Sequence, residues 1–165
     1  MKIQEVKIES VSEMNEYLQC SGLKYFVFGK DCEVEGGLYI VRCCSHENSE
    51  FIIGIISEGH GLKPEFKCIE DNLLIGFNRE VKIVDSSGNY KTVTANSLFY
   101  EFIEGATLNE IIAVFELEII CFSLQGYKKW VHCTDIITDY HIIDKDKMHI
   151  TTDQGEETIS LKTGN

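Results

Sequence analysis

LLIGFNREVKIVDSSGNYKT, residues 73 to 92, lies without gaps over IIAVFELEIICFSLQGYKKW, residues 111 to 130, and this superposition decides the fold. Phe77 falls on Phe115, Glu80 on Glu118, Gly88 on Gly126 and Lys91 on Lys129, and the apolar positions largely coincide. Gly88, Gly126 and Gly164 mark out two intervals of 38 residues. In each copy a short run rich in Val, Ile and Phe is followed by a second one, a glycine turn and a third strand, as hairpin-linked β-structure requires. The register runs on, with SLFYEF from Ser97 over DIITDY from Asp135, and HITTDQGEETISLKTG from His149 forms a third, truncated copy.

Outward from the repeat, YFVFG, LYIVRCC and FIIGIIS continue the same β-type signal back to Tyr25. The only proline is Pro64, in the loop HGLKPE, so prolines do not interrupt the ladders. Residues 1 to 23 differ: Lys2 to Glu9 reads as an edge strand, and Ser10-Val11-Ser12-Glu13 has the S-x-x-E spacing of a capping box. Val11, Met14 and Leu18 share one helical face, and Gly22 is placed to leave the helix in a left-handed conformation. The expectation is therefore a mainly β fold of antiparallel sheets, built from four-strand units of period 38 with one short N-terminal helix. Size favours one domain, 1–165, divided into 1–23 (strand plus helix), 24–72 (a degenerate unit in which YFVFG takes the place of LLIGF), 73–110 and 111–148 (repeat units) and 149–165 (a truncated unit).

The pattern of strand, strand, glycine turn and strand, with an aromatic such as Trp130 after the turn, resembles the blade repeats of quinoprotein-like β-propellers over about residues 73 to 165. The resemblance implies a fold and no chemistry. Closure into a propeller would need the strand Lys2 to Glu9 to complete the truncated last unit; the alternative is an open or sandwiched antiparallel sheet with the helix packed on one side.

Charge narrows the partners. With 15 basic and 27 acidic residues the formal charge is −12, which repels nucleic-acid phosphate and anionic membrane surfaces. Polar and charged residues crowd the N-terminus MKIQEVKIES, leaving no apolar core for a signal peptide, and no apolar run reaches the roughly 20 residues of a membrane helix. Seven cysteines without a C-x-x-C pair read as free thiols in a reducing cytoplasm, with Cys121 a small core hydrophobe and the neighbours Cys43 and Cys44 unable to bridge without distorting the peptide.

No G-x-G-x-x-G, G-x-x-x-x-G-K or G-x-S-x-G motif occurs, so no catalytic signature points to an enzyme. Cys44 and His46 are spaced to share a strand face, but a zinc site lacks a matching second pair, because the adjacent His132 and Cys133 point to opposite faces; SHENSE reads as a hairpin loop. No metal or other cofactor is expected. Carboxylates gather late, at Asp135, Asp139, Asp144, Asp146, Asp153, Glu156 and Glu157, with DKDK read as a turn in which short acidic side chains hold nearby amides. These seven are the expected partner-binding surface of a non-enzymatic, acidic, cytoplasmic binding protein that docks on a basic protein. An immunity or inhibitor protein neutralising a basic, nucleic-acid-cleaving toxin is its most concrete form. The alternative is a small ligand-binding or enzymatic β-domain with a pocket near His60, His132 and His141.

Overall fold

The computed structural model describes residues 1–30, 36–45, 49–58, 60, 62–104 and 110–165. Among these residues it is a mainly β fold with one helix and four sheets. The strands are β1 Lys2–Lys7, β2 Lys24–Gly29, β3 Leu38–Cys44, β4 Glu50–Ile56, β5 Glu65–Ile69, β6 Asn72–Phe77, β7 Glu80–Val84, β8 Tyr90–Thr94, β9 Phe99–Glu104, β10 Ile111–Phe115, β11 Glu118–Phe122, β12 Lys128–Cys133, β13 Ile137–Asp144, β14 Lys147–Thr152 and β15 Glu156–Ser160, with α1 at Val11–Cys20. Three sheets are meanders whose spatial order follows the chain: β5-β6-β7-β8, β9-β10-β11-β12 and β13-β14-β15. The remaining sheet has the order β1-β3-β4-β2. Two compact units result, residues Met1–Leu74 with Val84–Tyr90, and residues Ile75–Ile83 with Lys91–Asn165.

In the first unit α1 begins where the sequence places it. Ser10 is the N-cap, its Oγ accepts from the Glu13 amide at 3.1 Å, and Glu13 in turn accepts from the Glu9 amide at 2.9 Å. Gly22 leaves the helix at φ +68°. The buried Met14 and Leu18 press onto Gly54 of β4, where an added Cβ would stand 3.0 Å from the Met14 sulfur. Ile8, Ile40, Ile52 and Ile56 complete this cluster. On the opposite sheet face Phe26, Phe28, Phe51 and Tyr90 pack ring against ring.

Here the structure corrects two readings. Segment 24–72 does not copy the meander, and its sheet is mixed, because β2 pairs with β4 in parallel, Lys24 against Phe51 through Gly29 against Ile56. The cause is α1, which carries the chain across the sheet and returns it in the direction of β1; a strand so delivered pairs in parallel at the far edge. Nor does β1 complete the last sheet: its whole length pairs antiparallel with β3, from Lys2 against Cys44 to Lys7 against Tyr39.

In the second unit the 38-residue repeat is physical. Gly126 closes a turn in which its amide donates to Ser123 O at 2.8 Å and the Ser123 amide donates to Tyr127 O at 3.0 Å. The same two bonds occur at Gly88 (to Asp85 O, 2.9 Å) and between Asp85 and Asn89 (2.9 Å) in the first unit. Both glycines are left-handed, φ +74° and +81°, as the third residue of this hairpin loop must be. Gly164 is also left-handed, at φ +75°, but its turn is one residue longer, the Ser160 amide reaching Asn165 O at 2.8 Å. The step from sheet to sheet repeats too: Phe99 N donates to Asn78 O at 2.7 Å, and 38 residues later Ile137 N donates to Glu116 O at 2.8 Å. The hydrogen-bonded sheets are phased one strand ahead of the windows 73–110 and 111–148, since β9 and β13 open new sheets rather than ending old ones.

Candidate functional site

The last sheet carries all seven carboxylates on or beside its strands, and its hairpins sort them to two ends. β13 and β14 pair with Ile137 against Thr152 and Asp144 against Lys147, which sends Asp144 and Asp146 to the far turn. There Asp144 accepts from the Asp146 amide at 2.8 Å, as the turn reading of DKDK requires, and Asp146 pairs with Lys162 at 2.6 Å. Asp139 stands alone in mid-strand, accepting from the Tyr140 amide.

Asp135, Glu156 and Glu157 meet at the near end. With Thr134, Thr152, Gln154 and Gly155 they line an open cleft of about 210 Å³ between the β12–β13 connection and the β14–β15 turn. Asp153 flanks it, its amide donating to Ile136 O at 3.1 Å. Thr152 holds the turn, its Oγ1 accepting from the amides of Gln154 and Gly155. No basic side chain lines this cleft. Among the described residues no group of three His, Cys, Asp or Glu side chains is arranged to hold a metal ion.

Glu157 is fixed differently from its neighbours. Thr134 Oγ1 donates to its Oε1 at 2.7 Å, and His132 Nε2 lies 3.0 Å from the same oxygen. These bonds, Thr134 first and His132 second, hold the Glu157 carboxyl below its ordinary value. His132 Nδ1 lies 2.9 Å from Gly164 O, so both ring nitrogens face oxygen atoms. His141 lies against His149, rings tilted and 5.0 Å apart between centroids, and is exposed, while His60, in the first unit, lies 3.2 Å from Glu58. Among the described residues, His60, His132 and His141 thus lie against separate partners. Cys44 turns its sulfur toward Ser45 O; His46, and with it the SHENSE loop reading, lies outside the described residues.

A depressed carboxyl gives stability that is present above its unfolded value and is lost as pH falls through its folded value. The stability difference between the wild type and Glu157→Gln should therefore hold from about pH 7 down to the ordinary glutamate value of about 4.3 and shrink below it, as read by urea unfolding at each pH. A difference that grows toward acid would mean the carboxylate is not held as described.

The thiols divide by burial. Cys43 is pushed up to about 12 and Cys121 to about 11, in both cases mainly by desolvation, whereas Cys20, Cys68 and Cys133 are exposed. Iodoacetamide on the folded protein should label Cys20, Cys68 and Cys133 well before Cys43 and Cys121, as mass spectrometry of digests would show; early labelling of Cys121 would place it outside the core.

No family model and no curated protein sequence matches the chain. Solved structures similar to it include β-propellers at low identity. The structure described as BBS1N in complex with ARL6DN, soaked with mercury, is 12% identical over 75% of this chain and 47% of that one, with a TM-score of 0.45. BamB from Moraxella catarrhalis is 13% identical over 84% of this chain and 46% of that one, with a TM-score of 0.43. The chain spans about half the length of either structure.

Three contributors to the cleft, Thr134, Thr152 and Gln154, and the neighbouring His149 were not among the expected site residues. Nothing in their local sequence marks them. One signal does exist in the repeat: the positions equivalent to Glu157 are Val81 and Ile119, so a carboxylate stands in the third copy where the other two are apolar.

Proposed function

We propose that this protein acts by binding a basic protein partner through the carboxylate-lined cleft at the near end of its last sheet, and not by catalysis. The carrying observation is that Asp135, Glu156 and Glu157 line one open cleft with no lysine or arginine in its lining, His132 and His149 lying against Glu157 and Glu156 from outside it. On a chain of net charge −12, such a concentration of one sign favours a cationic surface and speeds its encounter. The competing enzymatic reading needs a histidine with a free nitrogen beside a pocket, and His132, the histidine nearest the cleft, has both nitrogens engaged. An immunity or inhibitor protein covering the phosphate-binding surface of a basic toxin fits this behaviour, with a cytoplasmic site of action consistent with the exposed free thiols.

The test is affinity capture from the native cell with the wild type and with the triple variant Asp135→Asn, Asp153→Asn, Glu156→Gln. The expected result is a basic protein recovered by the wild type and lost with the variant. An acidic partner, or one retained equally by both, overturns the proposal.

A further inference from the structure

We propose that His141 and His149, side by side on the outer face of the last sheet, chelate one late first-row divalent cation such as Zn²⁺, a property that goes beyond the docking function and does not depend on it. The strand register carries the idea first. In the β13–β14 ladder Tyr140 lies opposite Ile150 and His141 opposite His149. Tyr140 and Ile150 belong to the apolar cluster against the preceding sheet, so alternation along both strands turns the histidine pair to the other face. Asp139 lies opposite Thr151, and Thr151 opposite Glu156, in the adjoining row of that face. Directly opposed residues have Cβ atoms only about 4.5–5.5 Å apart, so the two imidazoles share one small space.

The spacing fits a shared ion. The ring centroids are 5.0 Å apart and the planes are inclined at 46°, so the rings are not stacked face to face. Two imidazoles on one tetrahedral cation, each nitrogen about 2.0–2.1 Å from the metal, have centroids about 5 Å apart. His149 is also oriented: its Nδ1 lies 3.3 Å from Thr158 Oγ1, the kind of outer contact that fixes a ligating ring, and donation from Nδ1 there would make Nε2 the metal ligand. That Nε2 stands 3.6 Å from Glu156 Oε2, beyond a hydrogen bond yet close enough for the carboxylate charge to favour a cation. Among the described residues no third side chain completes a set, so the two imidazoles are the protein's share of the coordination shell and water supplies the rest.

The preceding sheet shows what usually occupies this place. Ile103, 38 residues before His141, stands opposite Ile112 as His141 stands opposite His149. Ile112 is buried in the apolar cluster and Ile103 packs against it. An apolar cross-strand pair has thus become two histidines where the face meets solvent, although any polar residues would serve solvation alone. Imidazole nitrogen selects the ion, since it suits zinc, nickel and copper, whereas magnesium and calcium take oxygen ligands.

The test titrates zinc chloride into the intact, ¹⁵N-labelled protein whose accessible thiols have been alkylated with iodoacetamide, so that sulfur does not compete for the metal. In imidazole ¹H–¹⁵N spectra the signals of His141 and His149 should move together and saturate as a single site, while those of His60 and His132 stay in place. Magnesium chloride at the same concentrations should move none of them, which separates imidazole ligation from attraction to the surrounding carboxylates. Isothermal titration calorimetry should show His141→Gln and His149→Gln each weakening zinc binding by about tenfold or more, because a lone imidazole cannot chelate. Circular dichroism checks the fold of both variants, and the wild-type spectra decide the matter without them. Zinc that leaves the His141 and His149 signals unmoved, or moves His60 or His132 first, overturns the proposal. So does an equal response to magnesium, or zinc affinity unchanged in either folded glutamine variant.

Discussion

Replacing Phe99 by alanine lowers the unfolding free energy by about 3–5 kcal/mol, the usual cost of emptying a fully buried aromatic site. The ring is 1% exposed, 4.8 Å from Phe102 and 5.6 Å from Phe115 between centroids, and it lies directly on Gly76 of β6. A Cβ at position 76 would stand 2.1 Å from Phe99 Cζ, closer than any real contact, so Gly76→Ala forces the ring aside at a cost of about 1–3 kcal/mol or more. Both losses have one cause, and the double variant tests that. With Phe99 gone, alanine at position 76 meets no ring, fills part of the cavity and narrows the unfolded ensemble, which makes the second substitution neutral or favourable. Urea unfolding of the four proteins should give a coupling of about 1–3 kcal/mol. Strictly additive losses would mean that the ring does not rest on Gly76.

The same pair shows why so much of the fold is legible in the sequence. Thirty-eight residues on, Gly76 becomes Val114 and Phe99 becomes Ile137, both buried in one cluster. A small-plus-large pair has become two of middle size, a compensation that keeps the packed volume while erasing the identity. Periodicity of strands and left-handed glycines therefore survives where residue identity does not. The helix was equally local, set by Ser10, Glu13 and the Met14–Leu18 face. The parallel pairing of β2 was not legible, because the apolar run of residues 25 to 28 reads the same whichever way its neighbour runs, and the direction is decided by what α1 does between the two edges.

The site was legible in composition and not in geometry. The seven carboxylates lie within 23 consecutive residues, yet strand reversal carries Asp144 and Asp146 to one end of the sheet and Asp135, Glu156 and Glu157 to the other. The bond between His132 and Glu157 joins strands of two different sheets, so neither residue's neighbours announce it. Glu80, Glu118 and Glu156 make the complementary point: one repeat position keeps its glutamate three times and uses it three ways. Glu80 pairs with Lys82, Glu118 is buried and accepts from the Asn96 amide, and Glu156 is exposed at the cleft, 3.6 Å from His149.

Association with the captured partner should slow by about a hundredfold or more between low salt and roughly 1 M salt, because steered encounters reach about 10⁸–10⁹ M⁻¹s⁻¹ and unsteered ones about 10⁵–10⁶ M⁻¹s⁻¹. The screening length falls from about 10 Å at 0.1 M to about 3 Å at 1 M, which confines the field of the cleft to its own walls. Surface plasmon resonance at a series of salt concentrations measures this, and two sets of substitutions locate its origin. Asp135→Asn with Glu156→Gln removes charge from the cleft, whereas Asp139→Asn with Asp144→Asn removes the same charge from mid-strand and the far turn and leaves an oxygen at each position to accept the Tyr140 and Asp146 amides. All four side chains are exposed, so each substitution should alter stability by no more than about 0.5 kcal/mol, with circular dichroism as the control. If the cleft is the docking site, the first set lowers the association rate and flattens its salt dependence, and the second set does so much less. Equal effects of the two sets would assign the steering to net charge alone, and a rate indifferent to salt would remove electrostatic docking altogether. Dissociation should respond less than association to either set, since charges at an open rim govern the encounter more than the lifetime of the bound pair.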